Sequence, residues 1–219
     1  MKFFTRERYE KLQITGYLVY PASEEYYNIL KKRYADRERF YEAAQKQDFL
    51  IRKPLMLKYL PESIKKGVYD ESIKPFLKHP PLDLLKEIRE WCRSVKNEYE
   101  DTIKEYEKYY ETIKTDLPEN IVNMQKDFNF HDAKILTVEV VNDYLNIELE
   151  HGPCYSLTFV GGKLFEKPDE IFGCYWIHDE VHLSDRGKFE FCVLLRGKEF
   201  LNLHELRFVA DDVLIYRTY

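Results

Sequence analysis

Residues 135–160 have the sequence ILTVEVVNDYLNIELEHGPCYSLTFV. Within this stretch, residues 145–149 place an apolar side chain at every second position, which is the pattern of a strand with one buried face. Asn142-Asp143 and Gly152-Pro153 carry residue types that favour tight turns. The stretch therefore predicts three short strands, each antiparallel to the next.

The same pattern continues to the end of the chain. Gly161-Gly162 is a hairpin signal, and turn-forming residues separate the later apolar runs. No helical pattern interrupts these runs, so the strands should be antiparallel. We therefore expect six or seven short strands in a β meander, forming a curled sheet or a partial barrel. The later strands are predicted near residues 171–183, 189–195, 200–209 and 213–216.

Upstream of this region the apolar period becomes that of a helix. Residues 82–115 repeat apolar side chains at spacings of three and four, which predicts one long helix of about 50 Å. Another helix is expected over 23–47, and prolines punctuate the apolar segment 49–81. The predicted fold class is α+β, with a helical region over residues 1–125 and an antiparallel β domain over residues 126–219.

Charge is unevenly distributed between the two parts of the chain. Residues 131–219 hold 9 Lys and Arg against 16 Asp and Glu, a balance of −7, whereas residues 1–130 have a balance of +2. An acidic β half argues against a nucleic-acid partner, because phosphate binding needs clustered basic residues. The same charge is compatible with a basic protein partner or a cation.

The sequence also bears on the compartment in which the chain acts. Its opening, MKFFTRERYEKLQ, lacks the apolar core of a signal peptide, and no window has the apolar length of a membrane span. These observations predict a cytoplasmic protein without a membrane partner. The cysteines are then expected to be reduced, and all four are interpreted as small buried hydrophobes.

Three short motifs resemble a known family. They are FFTRERYEKLQ at residues 3–13, the Leu-Pro-Glu helix entries at 60–62 and 117–119, and FHDAKI at 130–135. Together they resemble a family of bacterial, mostly Gram-positive, proteins that is described as a domain of unknown function. The resemblance implies a bacterial cytoplasmic setting and the two-part layout, and it brings no reaction, cofactor or catalytic residue. The β half also resembles small sheet proteins that act as immunity factors against toxins.

His131-Asp132 stands where the helical part gives way to strands. The functional interpretation is a catalytic base and its orienting carboxylate. Adjacent residues on a strand point to opposite faces, however, so this pair requires the backbone to turn. The favoured interpretation is therefore an ordinary turn initiated by Asp132.

Segment 174–182, CYWIHDEVH, is the most suggestive for chemistry. A period of two would place Trp176, His178, Glu180 and His182 on one strand face. With His131, the two histidines and the glutamate are the candidate ligands for Zn²⁺ or Fe²⁺. The wide spacing of side chains along a strand favours instead a solvent-facing strand surface. His151 and His204 would join such a site only if several strands converge.

No stretch of the sequence carries a recognised catalytic or cofactor signature. The first hypothesis is therefore a non-enzymatic protein-binding module, of the immunity-factor kind, that uses the acidic β half as its contact surface; no cofactor is expected. The Tyr-rich part of the long helix is either a second contact surface or packed against the 23–47 helix. The long helix is also a candidate for homodimer formation. The alternatives are a metal-binding protein or metal-dependent enzyme that uses the β-domain histidines, and a small-ligand carrier. The tyrosines concerned are Tyr99, Tyr106, Tyr109 and Tyr110.

Overall fold

The computed structural model describes residues 1–21, 23–33, 38–73, 79–199 and 202–218. Within these ranges, six helices precede eight strands, which confirms the predicted α+β class. The helices are α1 (Arg6–Tyr17), α2 (Glu24–Arg33), α3 (Glu38–Tyr59), α4 (Glu62–Tyr69), α5 (Leu82–Ile113) and α6 (Glu119–Asp127). The strands are β1 (Lys134–Val141), β2 (Tyr144–Glu150), β3 (Cys154–Val160), β4 (Lys163–Glu166), β5 (Tyr175–Leu183), β6 (Phe189–Arg196), β7 (Leu203–Ala210) and β8 (Asp212–Thr218).

The chain forms two compact units. The helical unit comprises Glu7–Asp101, and the sheet unit comprises Met1–Arg6 together with Thr102–Tyr219. The predicted domain boundary between residues 125 and 126 stays a prediction. No helix in the described part of the chain combines the length and apolar character needed to cross a membrane.

The helical unit packs around apolar side chains from α1, α3, α4 and the first part of α5. Pro54 lies inside α3, so the expected break in the apolar segment 49–81 does not occur there. Phe49 and Met56 on this helix have no exposed surface, and their burial outweighs the backbone hydrogen bond that a proline removes. The predicted 23–47 helix corresponds to α2 and the start of α3; residues 34–37 lie outside the described residues.

The long helix and both Leu-Pro-Glu entries are confirmed. Helix α5 spans Leu82–Ile113, close to the predicted range. Pro61 and Pro118 occupy the N-cap positions of α4 and α6, with φ values of −57° and −56°. Proline suits a helix start because its fixed φ is already helical and the first turn has no use for its missing N–H.

The eight strands form one antiparallel sheet in the order β4-β7-β6-β5-β1-β2-β3-β8, which does not close into a barrel. The structure has one strand more than the seven at the upper end of the prediction, since β4 is only four residues long and carries too little alternation to be recognised. The two four-stranded halves are β1-β2-β3-β8 and β5-β6-β7-β4. They are joined by a short pairing in which Lys134 stands opposite Tyr175.

Aromatic and aliphatic side chains from both halves form a single core. Phe159 of β3 lies 4.6 Å from Phe208 of β7 and 5.8 Å from Phe191 of β6, measured between ring centroids. All three residues have no exposed surface. Contacts of this kind hold the first half of the sheet to the second.

The cysteines differ in environment. All four are free thiols; Cys174 and Cys192 are buried, Cys92 is partly buried and Cys154 is exposed. The expectation of four buried cysteines is therefore wrong for Cys154, which begins β3 on the outward side of the strand, opposite Glu150.

Candidate functional site

A β-bulge decides which side chains of β5 share a face. Pairing with β6 shifts between Trp176 and His178, so one extra residue, Ile177, interrupts the alternation. Trp176 consequently lies in the core with Val181, while His178, Glu180 and His182 point to the other face. The prediction that Trp176 shares their face is wrong, because it assumed an uninterrupted period of two.

The carboxylate of Glu180 is fully buried and accepts hydrogen bonds from three consecutive backbone amides. Its Oε1 accepts from the amides of Phe3 and Phe4, at 2.7 and 2.5 Å, and its Oε2 accepts from the amide of Lys2 at 2.8 Å. Successive N–H groups that converge in this way form an anion-binding concavity. The predicted solvent-facing strand surface is wrong at this point, because residues 2–4 cover it.

His182 extends this network to helix α5. Its Nε2 lies 2.9 Å from Glu180 Oε2, and its Nδ1 lies 3.0 Å from the hydroxyl of Tyr109. Both contacts are satisfied when Nε2 donates a hydrogen bond to the carboxylate of Glu180 and Nδ1 shares one with the hydroxyl of Tyr109. Burial by itself would raise the pKa of Glu180, but the hydrogen bonds from His182 and the three amides hold it below its usual value.

Aromatic rings surround the backbone of residues 2–4. The ring of Phe3 lies 5.4 Å from the rings of both Tyr106 and Tyr109. Phe4 stacks on His178 at 5.0 Å and contacts Tyr106 at 5.2 Å. We call the surface formed by Tyr106, Tyr109, His178, Glu180 and His182 the Glu180 pocket. Tyr106 also binds the strand directly, because its hydroxyl accepts a hydrogen bond from the amide of Val181.

His131 lies at the edge of this pocket, against the ring of His178. Their ring centroids are 5.8 Å apart, and Asp132 contacts His131 Nδ1 at 3.1 Å and Arg196 at 3.6 Å. Asp132 has a φ of +65°, so the backbone turns here as predicted, and the turn lets adjacent side chains meet. The side chain that initiates the turn is that of Asn129, whose Oδ1 accepts a hydrogen bond from the His131 amide, and not that of Asp132 as predicted. Burial, helped by the neighbouring His131, lowers the pKa of His178 to about 4.

The four candidate metal ligands therefore fall into two contacting pairs, His131 with His178 and Glu180 with His182. Among the described residues, no group of three or more His, Cys, Asp or Glu side chains is arranged to hold a metal ion. The metal site stays a prediction, which metal analysis of untagged protein would test. His204 is elsewhere, lining a cleft with Lys167 and Lys198, and His151 lies in the turn between β2 and β3.

Sequence reasoning missed Asp179, whose side chain points toward the core. Its carboxylate accepts hydrogen bonds from Trp176 Nε1 at 2.9 Å and from Gln125 Nε2 at 2.7 Å. Desolvation raises its pKa, although both hydrogen bonds act in the opposite direction. No local signal marks this residue, since the bulge at Ile177 is what places it beside Trp176.

Replacing this acid by its neutral isostere should stabilise the fold at high pH. Because the pKa of Asp179 is raised in the folded state, its ionisation lowers stability as the pH rises through the interval above its unfolded value of about 3.9. We expect Asp179→Asn to increase the free energy of unfolding at pH 8 by about 1–2 kcal/mol, because the charge is removed while the hydrogen bonds are kept. The amide oxygen of Asn can still accept from Trp176 Nε1, and Gln125 can rotate its own amide to accept from the new NH₂ group. The gain should shrink toward pH 4. Urea unfolding at both pH values measures it, and a gain that is larger at pH 4 would contradict the assignment.

The outer side of β1-β2-β3-β8 is a second candidate surface. Register places Glu139, Asn146, Thr158 and Leu214 in one row across the four strands, and Thr137, Glu148, Ser156 and Tyr216 in the next. Val141, Tyr144, Val160 and Asp212 form the third row. We call these three rows the open face. Tyr144, Leu214 and Tyr216 are 45%, 39% and 56% exposed.

Comparisons with known proteins give a family and nothing further. No curated protein and no solved structure matches the chain. A family model described as a protein of unknown function, DUF4085, matches residues 3–200, a range that includes both pairs of the predicted site residues and all of β1–β6. This chain belongs to the DUF4085 family.

Proposed function

We propose that this protein is a bacterial cytoplasmic protein-binding module, and that the open face binds a basic surface of its partner. The observation that carries the proposal is the composition of that face. Its three rows combine exposed aromatic and aliphatic side chains with Glu139, Glu148 and Asp212, and the described rows contain no Lys or Arg. The free thiols suit a reducing compartment.

The size of the face is appropriate to this role. Four strands, each about 4.8 Å wide and spanning five residues over the three rows, give a surface of roughly 19 by 17 Å. Exposed apolar patches of about 300–600 Å² on single-domain proteins are often binding sites. Tyr144 and Tyr216 can supply the buried anchors of an interface, and the acidic side chains can supply its charged rim.

The charge of the open face indicates which kind of partner surface it binds. Acidic residues on one protein steer association with a basic partner, and reversal of their charge places like charges against each other. Since the sheet interior is filled by side chains such as Phe159, Phe191 and Phe208 with no exposed surface, the outer side of the sheet is the better candidate for binding.

Charge reversal on the open face should strongly weaken binding of the partner. We expect Glu148→Lys to reduce capture of a stoichiometric partner from native cells by about tenfold or more, and Tyr216→Ala to reduce it comparably. Quantitative mass spectrometry after affinity capture of the tagged chain measures both effects. The matched control is Asp185→Lys, which makes the same change in net charge in the exposed turn between β5 and β6.

The salt dependence provides an independent readout. Capture by the unchanged protein should weaken as ionic strength rises, because salt screens exposed charges. Equal capture by Glu148→Lys, Tyr216→Ala and the unchanged protein would show that the open face is not the contact surface.

A further inference from the structure

We propose that the Glu180 pocket is a peptide-binding site whose resident ligand is residues 2–4 of the same chain, and that a peptide with two adjacent aromatic residues can replace this segment. The pocket lies on the outer side of β5, whereas the open face lies on β1-β2-β3-β8. The inference therefore goes beyond the proposed function and does not depend on it.

The first argument concerns the main chain. All three hydrogen bonds from residues 2–4 to Glu180 are donated by backbone amides, at 2.8, 2.7 and 2.5 Å. Any peptide that has no proline at these positions carries the same backbone N–H donors. A fully buried carboxylate aimed at consecutive amides is thus a general receptor for a bent peptide backbone.

The second argument concerns selectivity. Phe3 fits between the rings of Tyr106 and Tyr109, and its ring also lies parallel to that of His182 at 6.2 Å. Phe4 is held between Tyr106 and His178. Filling the pocket therefore requires two neighbouring aromatic side chains on the peptide. Phe3 and Phe4 are only 7% and 8% exposed, so they fill it almost completely.

The third argument concerns exchange. Residues 2–4 belong to no helix or strand, and α1 begins only at Arg6. The bonds to Glu180 join residues that are 176 to 178 positions apart in the chain. The segment is thus held on the sheet by tertiary contacts, which include these amide hydrogen bonds and the ring contacts, and not by strand pairing. An empty pocket would leave a buried carboxylate without its donors, so the segment should leave by replacement with an equivalent peptide.

The proposal can be tested on the folded chain with all of its residues present. A protease site is inserted between Thr5 and Arg6, the purified protein is cleaved, and a fluorescent peptide of sequence Met-Lys-Phe-Phe-Thr is added. Fluorescence anisotropy should show binding with a Kd below about 1 mM. The uncleaved chain should bind at least about tenfold less, because its own segment competes at high effective concentration.

Changes in the peptide separate the two modes of recognition without altering the protein. Methylation of the Phe3 amide nitrogen removes one donor to Glu180, and we expect it to weaken binding by about tenfold or more. A peptide with Phe3→Ala should weaken binding to a similar extent. Cleaved Glu148→Lys protein should bind as well as cleaved parent, which keeps this test distinct from that of the open face.

Several results would overturn the proposal. They are an absence of peptide binding to the cleaved chain, equal binding to cleaved and uncleaved chains, and equal binding of the N-methylated peptide. If cleavage unfolds the sheet unit, circular dichroism should show recovery on addition of the peptide at millimolar concentration; failure to recover would also overturn it.

Discussion

Glu180→Gln should lower the free energy of unfolding by about 2–4 kcal/mol, since hydrogen bonds to a charged group contribute about 1.5–3 kcal/mol each. The substitution keeps the volume of the side chain but replaces one acceptor oxygen by an NH₂ group. Oε1 serves the amides of Phe3 and Phe4, and Oε2 serves the amide of Lys2 and His182. In either orientation, therefore, the new NH₂ group faces at least one buried N–H group, and two donors cannot form a hydrogen bond with each other. Urea unfolding at pH 7, followed by circular dichroism, measures the loss.

Glu148→Gln is the matched control for this experiment. Glu148 is an exposed glutamate on β2, and its neutralisation should change stability by no more than about 0.5 kcal/mol. If Glu180→Gln were as mild as this control, the network of residues 2–4 around Glu180 would contribute little to stability. Glu180→Gln could instead leave the global free energy of unfolding unchanged and only accelerate amide exchange in residues 1–6. That result would mean that the network stabilises this segment and not the sheet unit as a whole.

The stability of the unchanged protein should fall by about 2 kcal/mol between pH 7 and pH 4.5 through His178 alone. The folded pKa of His178 is lowered to about 4, while an unfolded histidine titrates near 6.5. Between these values the unfolded chain binds a proton that the folded chain excludes, so acid favours unfolding. Burial is the main cause, His131 adds to it and Glu180 opposes it.

His178→Gln should remove this part of the pH dependence. The variant loses the stacking of His178 on Phe4 at every pH, so the comparison is between slopes and not between absolute stabilities. Urea unfolding of both proteins from pH 7 to pH 4.5 gives the slopes. His151→Gln, a change at an exposed histidine, should keep the slope of the unchanged protein. Identical slopes for all three proteins would rule out His178 as the source.

The helices and most strands could be predicted because their signals are local. The alternation of residues 145–149 gave β2, the three- and four-residue spacing over 82–115 gave α5, and both Leu-Pro-Glu sequences preceded helices. Each signal depends on side chains within a few positions of one another, where backbone geometry alone determines which face they share.

The four candidate ligands lie close together in the structure, but the environment predicted for them is wrong at Glu180. His131, His178, Glu180 and His182 were all selected, and the structure places them in two neighbouring pairs. Their burial was not predicted, because no local pattern in the opening FFTRERYEKLQ indicates that its first residues cover a strand about 176 positions away. A buried glutamate requires donors, but the sequence does not say which part of the chain provides them.

By itself, then, the sequence determined the α+β class, the long helix, the antiparallel strands and the turn at His131-Asp132, since each follows from the local period or from residue types that favour turns. Only the tertiary structure decided that a bulge at Ile177 separates Trp176 from His178, and that Glu180 binds amides 176 or more positions away. Such contacts form when distant segments bury their apolar surfaces together and the polar groups enclosed with them must be paired. That requirement acts on the folded chain as a whole, so a local pattern cannot reveal it.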